Sequence, residues 1–259
     1  IIDFAKRIVL ELNVINKTKI EFYVLPTRLG SGAESSHTSI LNINNKKIFD
    51  VNNEFIPDGV IYYTKFYKEL SYNQLIMGAT DAIMHCIESS LSFNDNYFSN
   101  YLSKSTMKFI LENKSINKLI NNSELEDDDF KNLCILSFNG GICQNNSGSG
   151  ICHALAHSTE SEINLSHIDC ISFYSKFVIN YLNKTNDKFK DLFDKNISNL
   201  IYNMSEKIKI NKNYIIIKDY IQNKKNLTKI IEQAKEDPCW RLYKNKIEVE
   251  LLIKEINNV

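Results

Sequence analysis

The sequence predicts an α/β unit over roughly its first 65 residues and an all-helical region from there to the end, and three observations carry that reading. Short apolar runs rich in aromatic and β-branched residues are confined to the first part of the chain, around a glycine-containing loop. Beyond residue 65, apolar residues recur at helical spacing in one long segment after another. Only eight glycines and three prolines occur in 259 residues, so those that cluster mark turns or close packing.

Taken in order, the opening IIDFAKRIVLEL has apolar residues at 1, 2, 4, 5, 8, 9, 10 and 12, a helical pattern. It starts without a cap or lead-in, and the expectation is a chain numbered from partway through a larger fold. Residues 20–26 (IEFYVLP) read as a buried strand, and the loop Thr27-Arg28-Leu29-Gly30-Ser31-Gly32-Ala33-Glu34 follows. Two strand-like stretches, 37–44 and 46–51, read as a hairpin around Asn44-Asn45, and Val60-Ile61-Tyr62-Tyr63 reads as a further strand after Pro57-Asp58-Gly59. Helical periodicity then covers about 72–91, 95–113, 127–144, 149–160, 168–182 and 186–209, with more after 213. Gly140-Gly141, Gly148 and Gly150 are expected between helices, at packing or turn positions.

Composition excludes several classes. Thirty-one basic and 31 acidic residues cancel, and the lysine clusters lie among acidic and Asn-rich neighbours, unlike the footprint of a nucleic-acid binder. No apolar run reaches the ~18 residues of a transmembrane helix, and no signal-peptide pattern opens the chain. Cys86, Cys134, Cys143, Cys152, Cys170 and Cys239 are scattered without a CxxC pair, so they read as buried reduced thiols and the expected compartment is the cytoplasm.

Four of the five histidines fall into two short signatures. Asp81 and His85 lie four positions apart in GATDAIMHCIESS, and a helix places both on one face, one turn apart. His153 and His157 have the same relation in HALAH, and His167 follows ten positions later in NLSHID. Together they offer up to five nitrogen or oxygen donors from three segments, a set that suits Fe(II) or Zn(II) better than Mg(II) or Ca(II) because imidazole prefers borderline transition metals. Cys86 and Cys152 adjoin two of these histidines but point about 100° away on a helix, which makes them poor ligands. Taken alone, the Asp81–His85 pair fits an ordinary helix-face contact, and the His153–His157 pair fits a satisfied core pair as well as a site. His37 reads as structural or exposed. Glu88, three residues after His85, fits either a partner orienting a ligand or a surface or capping role.

These segments resemble the iron-containing (group III) alcohol dehydrogenases of the dehydroquinate synthase-like superfamily. Ile1-Ile2-Asp3-Phe4-Ala5-Lys6 resembles the tail of their GGGSxxDxAK segment, PTRLGSGAE (26–34) their PTTxGTGSE loop, and DAIMHCIES (81–89) their DAxxHxxE helix. HALAH (153–157) with His167 resembles their HxxxH helix and later HG, and AKEDPCWRLYKNK (234–246) their closing segment. The resemblance implies the dehydroquinate synthase-like fold, with residues 1–65 a partial α/β nucleotide-binding domain and 66–259 an all-helical metal-binding catalytic domain. It implies Asp81, His85, His153 and His167 as metal ligands for Fe(II) or Zn(II), and His157 as a proton-transferring catalytic residue. Asp3, Thr27, Ser31, Gly32 and Lys47 take cofactor-contacting positions for NAD or NADP.

The implied function is metal-dependent transfer of hydride between NAD(P) and a small alcohol or aldehyde, with a homodimer as the expected assembly and neither nucleic acid nor membrane as partner. Two other readings stay open: a non-catalytic relative, motivated by the absence of a GGGS in the numbered sequence, and an enzyme acting on a hydroxyl of a 3-deoxy sugar acid. Ala154 stands where an HExxH motif has its glutamate, which argues against a metal hydrolase. Four departures from the family pattern matter, one of them Ala33 in place of serine. Arg28 replaces a small hydroxyl residue and suits either an anionic group or the surface; Tyr63-Thr64 replace Asp-Pro; and Ile168 follows His167 in place of glycine, which puts the local turn in question.

Overall fold

The computed structural model describes residues 1–43 and 46–257, and the side chains of these except 42, 43, 46 and 47. The N-terminal part is α/β: helix α1 (Ile2–Asn16), a parallel pair of β1 (Tyr23–Val24) and β4 (Gly59–Val60), and an antiparallel pair of β2 (Thr38–Ile43) and β3 (Lys46–Val51). The β2–β3 register sets Thr38 opposite Val51 and Ile40 opposite Phe49. The turn expected at Asn44-Asn45 lies outside the described residues. The strand expected over 20–26 pairs only at Tyr23 and Val24, and the one over 60–63 only at Gly59 and Val60. Strand propensity over seven residues needs a partner ladder of matching length, and β1 and β4 give each other two positions.

The remainder is helical: α2 (Thr64–Lys68), α3 (Tyr72–Ser90), α4 (Tyr97–Asn113), α5 (Ser115–Ile120), α6 (Asp127–Ser147), α7 (Ile151–Ile163) and α8 (His167–Thr185). These continue through α9 (Asp187–Leu192), α10 (Lys195–Ile208), α11 (Lys212–Gln222), α12 (Lys224–Glu236), α13 (Pro238–Leu242) and α14 (Val249–Asn257). The stretch expected as one helix over 186–209 is two. Asn186 caps α9 by accepting from the Phe189 N–H, and Asp194 caps α10 by accepting from the Asn196 N–H. Phe189, Phe193 and Ile197 keep the apolar spacing across the break, so periodicity alone cannot see it.

Helix α3 is the axis of this region. A reciprocal capping box between Ser71 and Gln74 starts it. From Leu75 to Ser90 every residue is buried, because α4, α6, α7, α8 and α10 surround it. A helix wrapped on all sides has no polar face to spare. The polar residues it does carry at 81, 85 and 88 must therefore find partners inside.

Helix α6 approaches α3 closely through glycine. Gly140 and Gly141 lie within α6, not between helices as the sequence predicted. A Cβ at 140 would sit 2.8 Å from the Ala82 carbonyl oxygen on α3, and one at 141 would sit 2.6 Å from the Gly32 Cα. The glycine pair thus lets α6 touch both the central helix and the loop 27–34. That loop is held onto α6 by further bonds: the Gly30 N–H donates to Ser137 Oγ (3.0 Å), which donates to Glu34 Oε1 (3.1 Å). Glu34 also accepts from the Tyr62 hydroxyl (2.9 Å), and the Ser35 hydroxyl donates to the Phe138 carbonyl (3.0 Å).

All six cysteines are free; five are buried and Cys239 is half-buried. Among the described residues, no helix is long and apolar enough to cross a membrane.

Candidate metal centre

Three helices bring their polar residues to one point. Asp81 and His85 project from the same face of α3, His153 and His157 from α7, and His167 is the first residue of α8. The turn in question at Ile168 is made earlier instead: Asn164 ends α7 in the left-handed region (φ 51°), which asparagine tolerates, and Ser166 precedes α8. Ile168 then enters the helix without strain.

The Asp81 carboxylate stands at the middle. Its Oδ1 is 3.8 Å from His85 Nε2, 3.4 Å from His153 Nε2 and 3.8 Å from His167 Nε2. Asp81, His85 and His153 are buried, with donor atoms all within 4.8 Å of one another, and the His85 and His153 rings stack at 4.4 Å. His167 approaches from a more open side, its side chain 29% exposed.

The arrangement leaves polar atoms stranded. Both Asp81 oxygens, His85 Nδ1 and His153 Nε2 are buried and lack any hydrogen-bond partner. Each such atom costs about 1–3 kcal/mol when left unpaired, and native interiors avoid them. The Asp81 oxygens and His153 Nε2 face one another here, with His85 Nε2 and His167 Nε2 alongside, which is the pattern of a cation site whose ion would satisfy carboxylate and imidazole lone pairs together. The donor set therefore fits a divalent transition metal.

Electrostatics in the metal-free protein follow from the crowding. Burial pushes the Asp81 carboxyl up, but His85, His153 and His167 around it outweigh burial and hold it well below the usual carboxylate range. Burial pulls the His85 imidazole down, with His153 and His167 adding to it against Asp81. Burial also acts on His153, but Asp81 and Glu88 overcome it and raise the imidazole to about 9.

Glu88 acts from behind. One turn beyond His85 on α3, its Oε2 lies 2.5 Å from His153 Nδ1 and accepts the Gly150 N–H (2.9 Å), while Oε1 accepts the Cys152 N–H (2.5 Å). It thus ties the start of α7 to α3 and fixes the His153 ring so that Nε2 faces Asp81. Of the two roles the sequence left open for Glu88, the structure has the partner of a histidine. His167 is flanked in the same way by Glu160, 3.5 Å from its Nδ1.

His157 lies beside the carboxylate–histidine group, not in its contact with Asp81. Its ring stacks on His167 at 5.2 Å, and its Nδ1 bonds Asp237 Oδ2 at 2.9 Å. Burial lowers its pKa, opposed by Asp237. Asp237 sits 80 residues downstream, where it caps the short α13 through the Cys239 N–H (2.7 Å). No spacing in the sequence points to it. Glu160, by contrast, lies seven residues beyond His153 on α7, a helical repeat that marks the same face.

The loop residues spread differently. Gly30 presses on the centre: a Cβ there would lie 3.0 Å from Asp81 Oδ2 and 2.8 Å from the Gly78 carbonyl. Its φ of 115° also suits glycine alone. Thr27, Arg28 and Ser31 are exposed at the surface of the loop, while Gly32 is buried against Gly141. Asp3 is half-buried and forms an ion pair with Lys6 at 3.8 Å. Lys47 lies in β3, and its side chain falls outside the described residues. His37 is half-buried just before β2, its backbone N–H donating to Asn145 Oδ1 at 2.6 Å.

Comparisons with known proteins bear on this geometry. The chain is 24% identical over 176 residues to 4-hydroxybutyrate dehydrogenase of Clostridium kluyveri, a match covering 66% of this chain and 47% of that one. The chain thus spans about half the length of this curated relative. The structure superposes on an iron-containing alcohol dehydrogenase from Thermococcus thioreducens with a TM-score of 0.76 at 16% identity, covering 93% of this chain and 64% of that chain. It superposes on sulfoacetaldehyde reductase from Bifidobacterium kashiwanohense, solved in complex with NAD+, with a TM-score of 0.75 at 14% identity, covering 93% and 65%. At such identities these structures establish a shared fold. The C-terminal model of the Fe-containing alcohol dehydrogenases matches residues 75–242, well over half of the chain and the segment that carries Asp81, His85, His153, His157, His167 and Asp237. By that match, this chain belongs to the Fe-containing alcohol dehydrogenase family.

Proposed function

We propose that this chain serves a metal-dependent oxidoreductase that transfers hydride between NAD(P) and a small alcohol or aldehyde. Residues 66–259 would form the metal side of the reaction and residues 1–65 the cofactor side. The observation that carries the reading is the stranding of both Asp81 oxygens and His153 Nε2 in the interior, with His85 Nε2 beside them and His167 closing the open side. Asp81, His85, His153 and His167 would hold Fe(II) or Zn(II), which all-nitrogen-and-oxygen donors of this kind suit. When bound, the ion would supply Lewis acidity toward the oxygen of the substrate.

The chain's own residues divide the remaining work. Glu88 orients His153 by taking its Nδ1–H, which keeps the Nε2 lone pair turned inward. Asp237 does the same for His157, so that His157 Nε2 is left to take or return the proton of the hydroxyl group. The His157 side chain is 24% exposed, enough for that proton to reach water. Gly30 closes the loop over Asp81 and limits solvent at the buried side. Thr27, Ser31, Gly32, Lys47 and Asp3 would face the cofactor, in keeping with the loop's attachment beside the centre. The NAD+ complex of the Bifidobacterium reductase supports a nicotinamide cofactor for this fold.

The test is metal retention. His153→Ala should lose the bound transition metal and any alcohol-dependent reduction of NAD or NADP, with the wild-type protein keeping about one equivalent of metal by elemental analysis. Unchanged metal content in the variant would refute the assignment.

A further inference from the structure

A second cluster of donors includes His157 and is grouped apart from Asp81, His85 and His153. His157, Asp237 and Cys239 each offer one ligand atom, and these atoms all lie within 4.8 Å of one another. None of the three contacts Asp81 in the way that His85, His153 and His167 do.

From this geometry we infer a separate site for a soft divalent cation, Zn(II) or Cd(II), held by His157 Nδ1, Asp237 Oδ2 and Cys239 Sγ. Three features support it. The first is spacing: donors about 2.0–2.3 Å from one tetrahedral ion stand roughly 3.3–3.8 Å apart. The Nδ1–Oδ2 pair is already at 2.9 Å, and the thiol needs a shift of about an ångström or less to join them. The second is access. The His157 and Asp237 side chains are 24% and 17% exposed and Cys239 is half-buried, whereas the other five cysteines are buried. Cys239 is thus the least enclosed of the six cysteines.

The third feature is charge and softness. Asp237 and a Cys239 thiolate together carry two negative charges, which neutralise a divalent ion, and a thiolate with an imidazole selects Zn(II) or Cd(II) over the harder cations. The site is also held in place before any ion arrives. Asp237 Oδ1 accepts the Cys239 N–H (2.7 Å) and Pro238 lies between them at the start of α13, so carboxylate and thiol are fixed relative to each other.

Binding has a definite proton balance. The Cys239 thiol releases its proton to solvent, and the hydrogen on His157 Nδ1 moves to Nε2 as the ion takes its place between Nδ1 and Asp237. The ion therefore replaces the His157–Asp237 hydrogen bond. This site shares no ligand with the Asp81 group, but it takes His157 and Asp237, to which the proposed function gives the proton transfer, so an ion bound here would compete with that role.

Cadmium titration of the reduced, chelator-treated protein tests it, read by the ultraviolet thiolate-to-cadmium charge-transfer band. The donors around Asp81 include no sulfur, and the Cys239→Ser variant separates a band at the second site from one at the five buried cysteines. Wild type should develop a band that saturates at one thiolate per chain, and prior addition of Zn(II) should suppress it. Asp237→Asn should weaken binding by about tenfold or more, and His153→Ala should leave the band intact. Cys239→Ser should abolish the band while circular dichroism and cadmium uptake at the histidine centre stay as in wild type. A wild-type protein without the band, or a Cys239→Ser protein that keeps it, would overturn the proposal.

Discussion

The candidate metal centre has a closed half and an open half. Asp81, His85 and His153 are each 2% exposed or less, whereas the His167 and His157 side chains are 29% and 24% exposed. The closed half is braced by Glu88, whose carboxylate holds His153 and two backbone N–H groups of the α7 start. The open half rests on looser contacts: His167 meets Glu160 at 3.5 Å, and His157 leans on Asp237, a residue from the far end of the helical region. On the proposed reading, the buried donors would be where structure and ligation are the same requirement, and the open ones where water and substrate would come and go.

On this division the largest effect belongs to Glu88. Glu88→Ala strands the His153 ring and the Gly150 and Cys152 N–H groups in a dry interior and should cost about 3–5 kcal/mol of stability. Urea unfolding of the metal-free variant measures it, and a loss under about 1 kcal/mol would mean that the closed half is not braced through this carboxylate.

The contact of the loop with α6 comes next. Gly32 sits at φ 59°, and a Cβ there would lie 2.2 Å from the Gly141 Cα, backbone against backbone. Gly32→Ala should cost about 1–3 kcal/mol, visible as a lowered thermal midpoint. An unchanged midpoint would show that the loop is free to lift away from α6 at no cost.

Lys6 sharpens the comparison from the loop side. Its ammonium is buried and donates to the Ser36 and Thr38 carbonyls at 2.9 and 2.7 Å, which anchors the chain just beyond the loop. Burial pulls its pKa down from 10.5 to about 8, against Asp3 and Glu34. Between those two values the unfolded chain binds the proton and the folded chain does not, so this group makes stability rise with pH across that window and leaves it flat below. Urea midpoints over the same window should therefore climb more steeply in wild type than in Lys6→Met; parallel profiles would rule out a buried amine.

The smallest effect is expected on the open half. His167→Ala should change stability by less than about 1 kcal/mol, since its contacts with Glu160 and Asp81, at 3.5 and 3.8 Å, are long and its side chain is 29% exposed. It should nevertheless lower metal affinity, by about 10- to 100-fold as for other ligand-shell losses. Isothermal titration with Zn(II) separates the two quantities. A His167→Ala protein as unstable as Glu88→Ala would erase the distinction between the halves.

Much of this site can be read along the chain because helices repeat. Asp81 and His85, and His153 and His157, share faces by spacing alone, and Glu88 and Glu160 fall on those faces by the same rule. Asp237 is invisible to such reasoning: it meets His157 only because α12 packs on α7 and returns the chain to its side. The helices themselves were legible where apolar residues ran uninterrupted, as in α3, α4 and α8. The short α2 and α5 and the break at Phe193–Asp194 were not, since a turn or two of helix leaves no periodicity to count. Gly140 and Gly141 misled for a related reason. Glycine weakens an isolated helix, yet inside α6 it is kept where Ala82 and Gly32 come too close for any side chain.

What the sequence by itself determined is the list of donors and their pairing within each helix, because 3.6 residues per turn is a local property of the backbone. Only the tertiary structure decided that the faces of α3, α7 and α8 meet at Asp81, and which donors end up dry and which end up wet. That outcome depends on how helices far apart in sequence pack around α3, and packing is a property of the whole core that no local pattern contains.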